Sequence, residues 1–519
     1  MKKILLTLSL FTYVYSANAQ SVPTDQFDSQ VPRTWFSLEL YLVKTGTGFT
    51  PPVASRAMGY TGLAAYQSVY KGIDNKASLA SYLPQTPVIT EPSNGVDYDW
   101  RIVQNNALAD VIDSLFGNAS VAQKDSIHFV KNAFNTQFSS LVSAQVYADS
   151  KALGEQIAKD VFAYSATDGG HKGYLSNTDP TYIPPTGPGM WVPTPPAYAA
   201  ALQPHWGDVR TMVVENLDFT PAAPPVFSSD TNSAMYAWGH QVYTTVNNLT
   251  YSQENIAKYW ADGGGSITPP GHSISILTNI MKNENENLEF ASLAYAKLGM
   301  SQMDAFISCW KTKYVYNLMR PVTYIRAYID SNWTSLIGTP PFPEYTSGHS
   351  TQSGAMTSVM NDLYGSTYVF TDSTHGNNYG GPRTFNCFDE AAYEAATSRL
   401  FGGIHYEFSD VLAISLGKSV GQNIVDLINN ANSNFSSSSS LRTNTEISMY
   451  PNPTSNFVLL SNVGNNFRNI EVYDATGRLV LNSNNPYVLD LMNLSTGLYM
   501  VKVYDNDSLL IASNKVIKD

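Results

Sequence analysis

The sequence predicts an all-α body followed by a small all-β sandwich, and three observations carry that prediction. From Arg33 to about Asn430, apolar residues recur at helical spacing between Pro- and Gly-rich loops. At 432–445 the chain becomes rich in Asn and Ser, including the run Ser436 to Ser440, which is linker composition. From 446 to 519 it breaks into short alternating apolar runs punctuated by turn residues, which is strand texture.

Taken in order, residues 1–19 read as a secretory signal. Lys2 and Lys3 precede an apolar run from Ile4 to Val14, and Ala17-Asn18-Ala19 supplies a small-x-small cleavage site before Gln20. The run is shorter than the roughly 20 residues a membrane span needs, and no later stretch reads as a span. The body, 20–431, offers candidate helices at Arg56–Tyr70, Trp100–Phe116, Ala144–Tyr164, Asn232–Asn247, Asn255–Trp260 and Asn285–Leu298. Further ones follow at Gln302–Leu318, His349–Leu363, Phe388–Leu400 and Ser409–Asn429. The Pro-rich stretch Tyr182–Pro204 cannot be helix interior, and a loop of that length in a compact domain points to function. In the tail, strand-like runs lie at Phe457–Leu460, Ile470–Tyr473, Leu479–Leu481, Tyr487–Leu491, Tyr499–Tyr504 and Leu509–Ser513.

Composition narrows the function. With 519 residues, 43% of them hydrophobic, the chain has ample material for a core, and its net charge of -12 gives no basic face for nucleic acid. Only Cys309 and Cys387 are present, so a disulfide-dense scaffold is excluded; one bridge or two separate thiols fit equally.

Three separated segments hold the residue types of an oxyanion site. In the first, Arg320 follows Lys313 by seven positions, almost two turns, so a continuous helix would put both cations on one face, with Pro321 limiting it. In the second, Pro340-Pro341-Phe342-Pro343-Glu344-Tyr345-Thr346 runs into Ser347-Gly348-His349 where helical sequence begins. A helix start favours anions; Gly348 permits close approach, Ser347 offers a hydroxyl and His349 an acid or base. In the third, Arg399 supplies a planar fork after Ser398, and Gly402-Gly403 breaks the helix so that His405 can turn toward the same pocket.

Lys313, Arg320-Pro321, Ser347-Gly348-His349, Ser398-Arg399 and His405, in that order, resemble the signature of the superfamily of vanadium-dependent haloperoxidases and type 2 phosphatidic acid phosphatases. The resemblance implies two helical bundles around one oxyanion pocket. For a haloperoxidase it implies that His405 bonds vanadium and that Lys313, Arg320, Arg399, Ser347 and the Gly348 amide neutralise vanadate. His349 would then activate hydrogen peroxide. For a phosphatase it implies His405 as phosphohistidine nucleophile and His349 as proton donor to the leaving alcohol. A non-catalytic surface protein binding oxyanions or glycans is a third reading. Trp310 and Phe342 resemble the apolar residues bordering the halide pocket in vanadium chloroperoxidases and bacterial iodoperoxidases, which favours the peroxidase. Iodide or bromide, easier to oxidise than chloride, is the expected halide.

The family pattern departs at two positions. Thr346 stands where Pro is usual, and Ser409 stands where an Asp usually orients the last His; Ser409, Glu407 or Asp410 is expected to substitute. Ile256–Asp262, Pro269–His272 and Gly189–Pro196 also look like segments of larger bacterial haloperoxidase-type proteins. His272 is expected either at the pocket entrance or as a structural histidine after a Pro-Pro-Gly turn. The tail resembles the sorting domain of the type IX secretion system of Bacteroidota, in Tyr450-Pro451-Asn452-Pro453, Val472–Arg478 and Leu494–Tyr499. That resemblance implies engagement with the type IX secretion machinery and export to the cell surface or medium.

Overall fold

The computed structural model describes residues 21–218, 221–433, 447–461, 463 and 467–519. The signal reading and nearly all of the Ser/Asn-rich linker lie outside these. The body is helical throughout: α1 Gln30–Thr45, α2 Pro51–Gln67, α3 Trp100–Leu115, α4 Val121–Ser139, α5 Ala144–Ser165, α6 Glu215–Asp218 and α7 Ala234–Asn247 come first. They are followed by α8 Tyr251–Tyr259, α9 Thr268–Asn283, α10 Leu288–Tyr316, α11 Pro321–Tyr328, α12 Gly348–Tyr364, α13 Phe388–Gly402 and α14 Glu407–Ser433. A short antiparallel hairpin, β1 Phe370–Asp372 with β2 Arg383–Phe385, interrupts the helices between α12 and α13.

Several starts are written locally. Ser120 and Gln123 form a capping box on α4, as do Thr250 and Gln253 on α8, each satisfying backbone donors that the first turn leaves free. Helices α1, α4, α6, α9 and α11 were not among the expected ones. In α9 the expected Pro-Pro-Gly turn is instead the first helical turn: Pro269 and Pro270 occupy positions whose N–H groups have no helical partner to lose. The expected helices 285–298 and 302–318 are one helix, α10. Gly299, which lies between the two expected helices, serves packing, since a Cβ on it would lie 2.4 Å from the Met58 carbonyl of α2.

The same device joins the second bundle, where a Cβ on Gly417 of α14 would fall 1.9 Å from the Thr351 carbonyl of α12. Helix α14 is long and apolar enough to cross a bilayer by length and composition. However, 67% of its most apolar window is buried, and it packs against α12 and α13 as a core helix. Buried α10 is central: it packs on α2 and α9 on one side and on α12 and α14 on the other, so side chains near its C-terminal end meet the start of α12.

The tail forms two sheets, β3 Ser448–Tyr450, β4 Phe457–Ser461 and β7 Val488–Asp490 in one, and β6 Leu479–Ser483, β5 Phe467–Tyr473, β8 Gly497–Asp505 and β9 Leu510–Lys518 in the other. Alternate residues such as Val458, Leu460, Val501 and Val503 point between them into a common core. Its other face meets the body: Phe457, Leu459 and Val488 share a cluster with Phe408, Val411 and Ile414, and Lys418 donates to the Leu460 carbonyl at 2.8 Å.

Candidate active site

Lys313 and Arg320 do not share a helix face. Asn317, in the left-handed conformation that Asn tolerates well, ends α10, its N–H closing on the Lys313 carbonyl at 2.8 Å. The next residues run extended, held by Gly189–Trp191 of the long loop: Trp191 N donates to the Asn317 carbonyl and Met319 N to the Gly189 carbonyl. Arg320 then precedes α11 with Pro321 as its first residue, and its side chain turns inward. Lys313 spends its donors on the carbonyls of Pro343, Glu344 and Thr346, so it fixes the loop before α12 and contributes charge from behind it.

The Ser-Gly-His cluster begins a helix, as expected. Ser347 precedes α12, accepting from the Ser350 hydroxyl at 2.9 Å, and Gly348 and His349 form its first turn, where backbone donors are free of helical partners. Ser398 accepts from Arg399 Nε at 2.9 Å and Ala257 O accepts from Arg399 Nη2 at 3.1 Å, which aims the remaining Nη1. Gly403, at φ 74°, ends α13 and lets the chain reverse so that His405 faces Arg320.

The group that orients His405 is Glu344, not Glu407, Ser409 or Asp410. Glu344 Oε1 lies 2.8 Å from His405 Nδ1 and also accepts from Tyr406 N at 3.0 Å. On the other side of the ring, Arg320 Nη1 lies 3.1 Å from His405 Nε2. A guanidinium only donates, so Nε2 accepts and the ring proton sits on Nδ1 against the carboxylate. Glu407 is turned away to Gln241 and Asn456, and Asp410 to Ser350 at 3.2 Å. Position 409 therefore needs no acid, because an acid four residues beyond Pro340 does its work. The signal for Glu344 was present in the sequence: a lone carboxylate in the Pro-rich segment that runs into Ser347-Gly348-His349.

Gly348, His349, Arg399 and His405 line one cavity of about 700 Å³, with Trp310 and Phe342 forming part of its wall at a ring separation of 4.9 Å. Lys313 and Arg320 lie just behind that wall, 5.0 and 4.9 Å from the Phe342 ring centre. Burial lowers Lys313 to about 8 and Arg320 and Arg399 to about 10, against the opposing pull of Glu344 and Asp410. Burial raises Glu344 to about 7 and pushes His405 and His349 well below the usual imidazole range, the neighbouring arginines adding to the effect, so both rings are neutral. Among the buried polar atoms around this cavity without a hydrogen-bond partner are two guanidinium donors, Arg320 Nη2 and Arg399 Nη1, and the ring nitrogen His349 Nε2. Guanidinium donors without acceptors at the edge of a cationic cavity suit a compact oxyanion.

A solved structure described as the first bacterial vanadium-dependent iodoperoxidase is 31% identical to this chain, with a TM-score of 0.70, and the likeness covers 79% of this chain and 98% of that one. The chain belongs to the vanadium-dependent haloperoxidase family. Consistent with this, the family profile for the VCPO second helical-bundle domain matches residues 293–434, which hold every oxyanion-site residue named above. The vanadium chloroperoxidase of Curvularia inaequalis is 29% identical over 133 residues, 20% of this chain and 22% of its own length, so the chain aligns with well under two thirds of that relative. A holo bacterial vanadium-dependent chloroperoxidase shares the fold, at 17% identity and a TM-score of 0.54 over 83% of this chain and all of that one. The haloperoxidase-family body carries behind it a secretion-system C-terminal sorting domain, matched at residues 448–519, and this marks the protein for export to the cell surface or medium. Within the family body, His272 is fully buried between Asp262 and Asp372 and does not stand at the pocket entrance. Cys309 and Cys387 are both free thiols.

Proposed function

We propose that the protein is a secreted vanadium-dependent haloperoxidase that oxidises iodide or bromide with hydrogen peroxide. The observation that carries this reading is the state of His405: Glu344 accepts from Nδ1–H, so the Nε2 lone pair faces Arg320 Nη1 at the cavity edge, beside cationic donors that have no partner. The residues fit vanadate. His405 Nε2 would ligate vanadium, the free donors of Arg320 and Arg399 would bond the oxyanion, Ser347 and the Gly348 amide would cap it at the start of α12, and Lys313 would add charge from behind. Bound vanadate supplies Lewis acidity that polarises peroxide toward attack by halide.

The chain's own groups do the rest. Neutral His349, with Nε2 unpartnered, is placed to take a proton from peroxide as it binds. Trp310 and Phe342 exclude water from one side of the cavity, which suits a large, weakly hydrated halide. The same His405 lone pair would serve a phosphohistidine route, with His349 protonating the leaving alcohol. The aromatic wall and the likeness to an iodoperoxidase favour oxidation. The test is to load purified protein with orthovanadate and follow peroxide-dependent iodide oxidation beside a phosphomonoester control. Halide oxidation that requires vanadate supports the proposal; phosphate release without it, and no oxidation with it, overturns it.

A further inference from the structure

Near His349 lies a second cluster that halide oxidation leaves unused. Asp262 follows α8, His272 sits in the first turns of α9, and Asp372 and His375 lie at the end of β1 and just after it. Asp262 Oδ2 is 2.8 Å from His272 Nδ1, and Asp262 Oδ1 is 3.2 Å from His375 Nε2. The second pair faces without hydrogen-bond geometry, and neither Asp262 Oδ1 nor His375 Nε2 has any other partner. The Asp262 side chain is 1% exposed, so its oxygen is a buried acceptor left open. We propose that Asp262, His272 and His375 form a binding site for a divalent metal of the zinc class, with Asp372 holding His272 from behind.

Four features support this. The ligand atoms of the three residues lie within 4.8 Å of one another, and the O···N separations of 2.8 and 3.2 Å are those that ligands about 2.0–2.1 Å from a common ion span at near-tetrahedral or narrower angles. His272 Nε2 lies 2.7 Å from Asp372 Oδ2, whose partner Oδ1 accepts from Thr374 N at 2.9 Å. That is the carboxylate–histidine arrangement which orients a metal-bound imidazole. The ring of Trp260 stacks on His272 at 4.6 Å and Tyr259 meets His375 edge-on at 4.9 Å, so the ligands are held in place before any ion arrives. Finally, among the described residues no Lys or Arg forms an ion pair with Asp262 or Asp372, whose carboxylates pair only with the imidazoles of His272 and His375. Asp262 lines the main cavity and His375 is 17% exposed, which gives an entry path and room for water as the fourth ligand.

The experiment strips the full-length protein with chelator, dialyses it against Zn²⁺ alone in phosphate-free buffer, and measures bound metal; Co²⁺ in place of Zn²⁺ gives a visible spectrum that reports coordination. A 1:1 stoichiometry is expected. At least a tenfold affinity loss is expected in His375→Ala and in Asp262→Asn, and a 10- to 100-fold loss in Asp372→Asn. His405→Ala should bind zinc as the wild type does. His375 is partly exposed, so its variant is expected to fold, and circular dichroism checks this. Absence of 1:1 zinc, equal binding by folded His375→Ala and Asp262→Asn, or loss of zinc in His405→Ala overturns the proposal. It stands apart from the haloperoxidase reading, whose assay needs vanadate and reports halide oxidation.

Discussion

Glu344 offers the sharpest test of the site, because one carboxylate oxygen holds both the His405 ring at 2.8 Å and the Tyr406 amide at 3.0 Å. Glu344→Ala leaves two buried donors unmet, at about 1–3 kcal/mol each, and removes the anion that offsets Arg320. It also frees the ring to place its proton on Nε2, where it would block ligation. Losing such an orienting partner lowers metal affinity or activity about 10- to 100-fold. Glu344→Gln is milder: its amide oxygen can take both donors, since Oε2, the position its NH₂ would occupy, has no partner in the native protein. The assay titrates orthovanadate into metal-free enzyme and follows iodide oxidation as triiodide absorbance. The Ala variant should need at least tenfold more vanadate, and the Gln variant less than tenfold. Burial raises Glu344 to about 7, so in the wild type the carboxylate weakens as an acceptor when pH falls through that value. Vanadate affinity should therefore fall on the acid side by more in wild type than in Gln. A folded Ala variant with unchanged vanadate affinity and turnover would refute the assignment of Glu344 and the tautomer argument with it.

Three further outcomes are expected. His405→Ala should abolish halide oxidation while its far-ultraviolet dichroism and melting temperature stay close to wild type; full turnover would remove the proposed anchor. Phe342→Ala opens the wall to water and strips both Lys313 and Arg320 of an aromatic neighbour, at about 1–2 kcal/mol. It should raise the halide KM more than it lowers kcat, and an unchanged KM counts against the halide wall. Glu39 is buried, with Oε1 accepting from Thr61 at 3.0 Å and Oε2 unpartnered, and burial raises it to about 8. An acid raised on folding binds more protons in the native state, so stability falls as pH climbs from about 4.5 to about 8 and then levels. Glu39→Gln should remove that decline, on the order of 4 kcal/mol at most, as read by denaturant unfolding at pH 5 and pH 8.5; parallel curves for the two proteins would exclude it.

Much of the fold and most of the site residues were legible because they are written in short stretches. Ser347 precedes a helix start, Gly403 reverses the chain, and the tail alternates in period two, each a local rule. What was not legible depends on distant contacts. Nothing within α10 says that the helix ends at Tyr316: Asn317 takes a left-handed conformation while the Gly189–Trp191 strand pairs alongside. Without that pairing, Arg320 would be placed on the helix face of Lys313. The partner of His405 is 61 positions away in sequence, so a search confined to the residues after it meets Glu407, Ser409 and Asp410 and passes over Glu344. The Asp262, His272, Asp372 and His375 cluster draws on three chain segments, none of which carries a metal-ligand spacing of its own.

The cationic groups around the cavity also explain why the Pro-rich segment before α12 is built as it is. Lys313 and Arg320 would repel each other in a buried site, yet each donates to main-chain carbonyls of residues 342–346, and the same segment carries Glu344, which holds the Nδ1 side of His405. Carbonyl dipoles hold the two charges without neutralising them, and prolines at 340, 341 and 343 restrict the backbone of the segment that presents them. Satisfaction stops one atom short at Arg320 Nη2 and at Arg399 Nη1. Unpaired buried donors of this kind cost stability, and that cost is recovered only when an anion arrives. The loop therefore does two jobs at once: it keeps the cations charged and in place, and it leaves open the donors through which an oxyanion would be gripped.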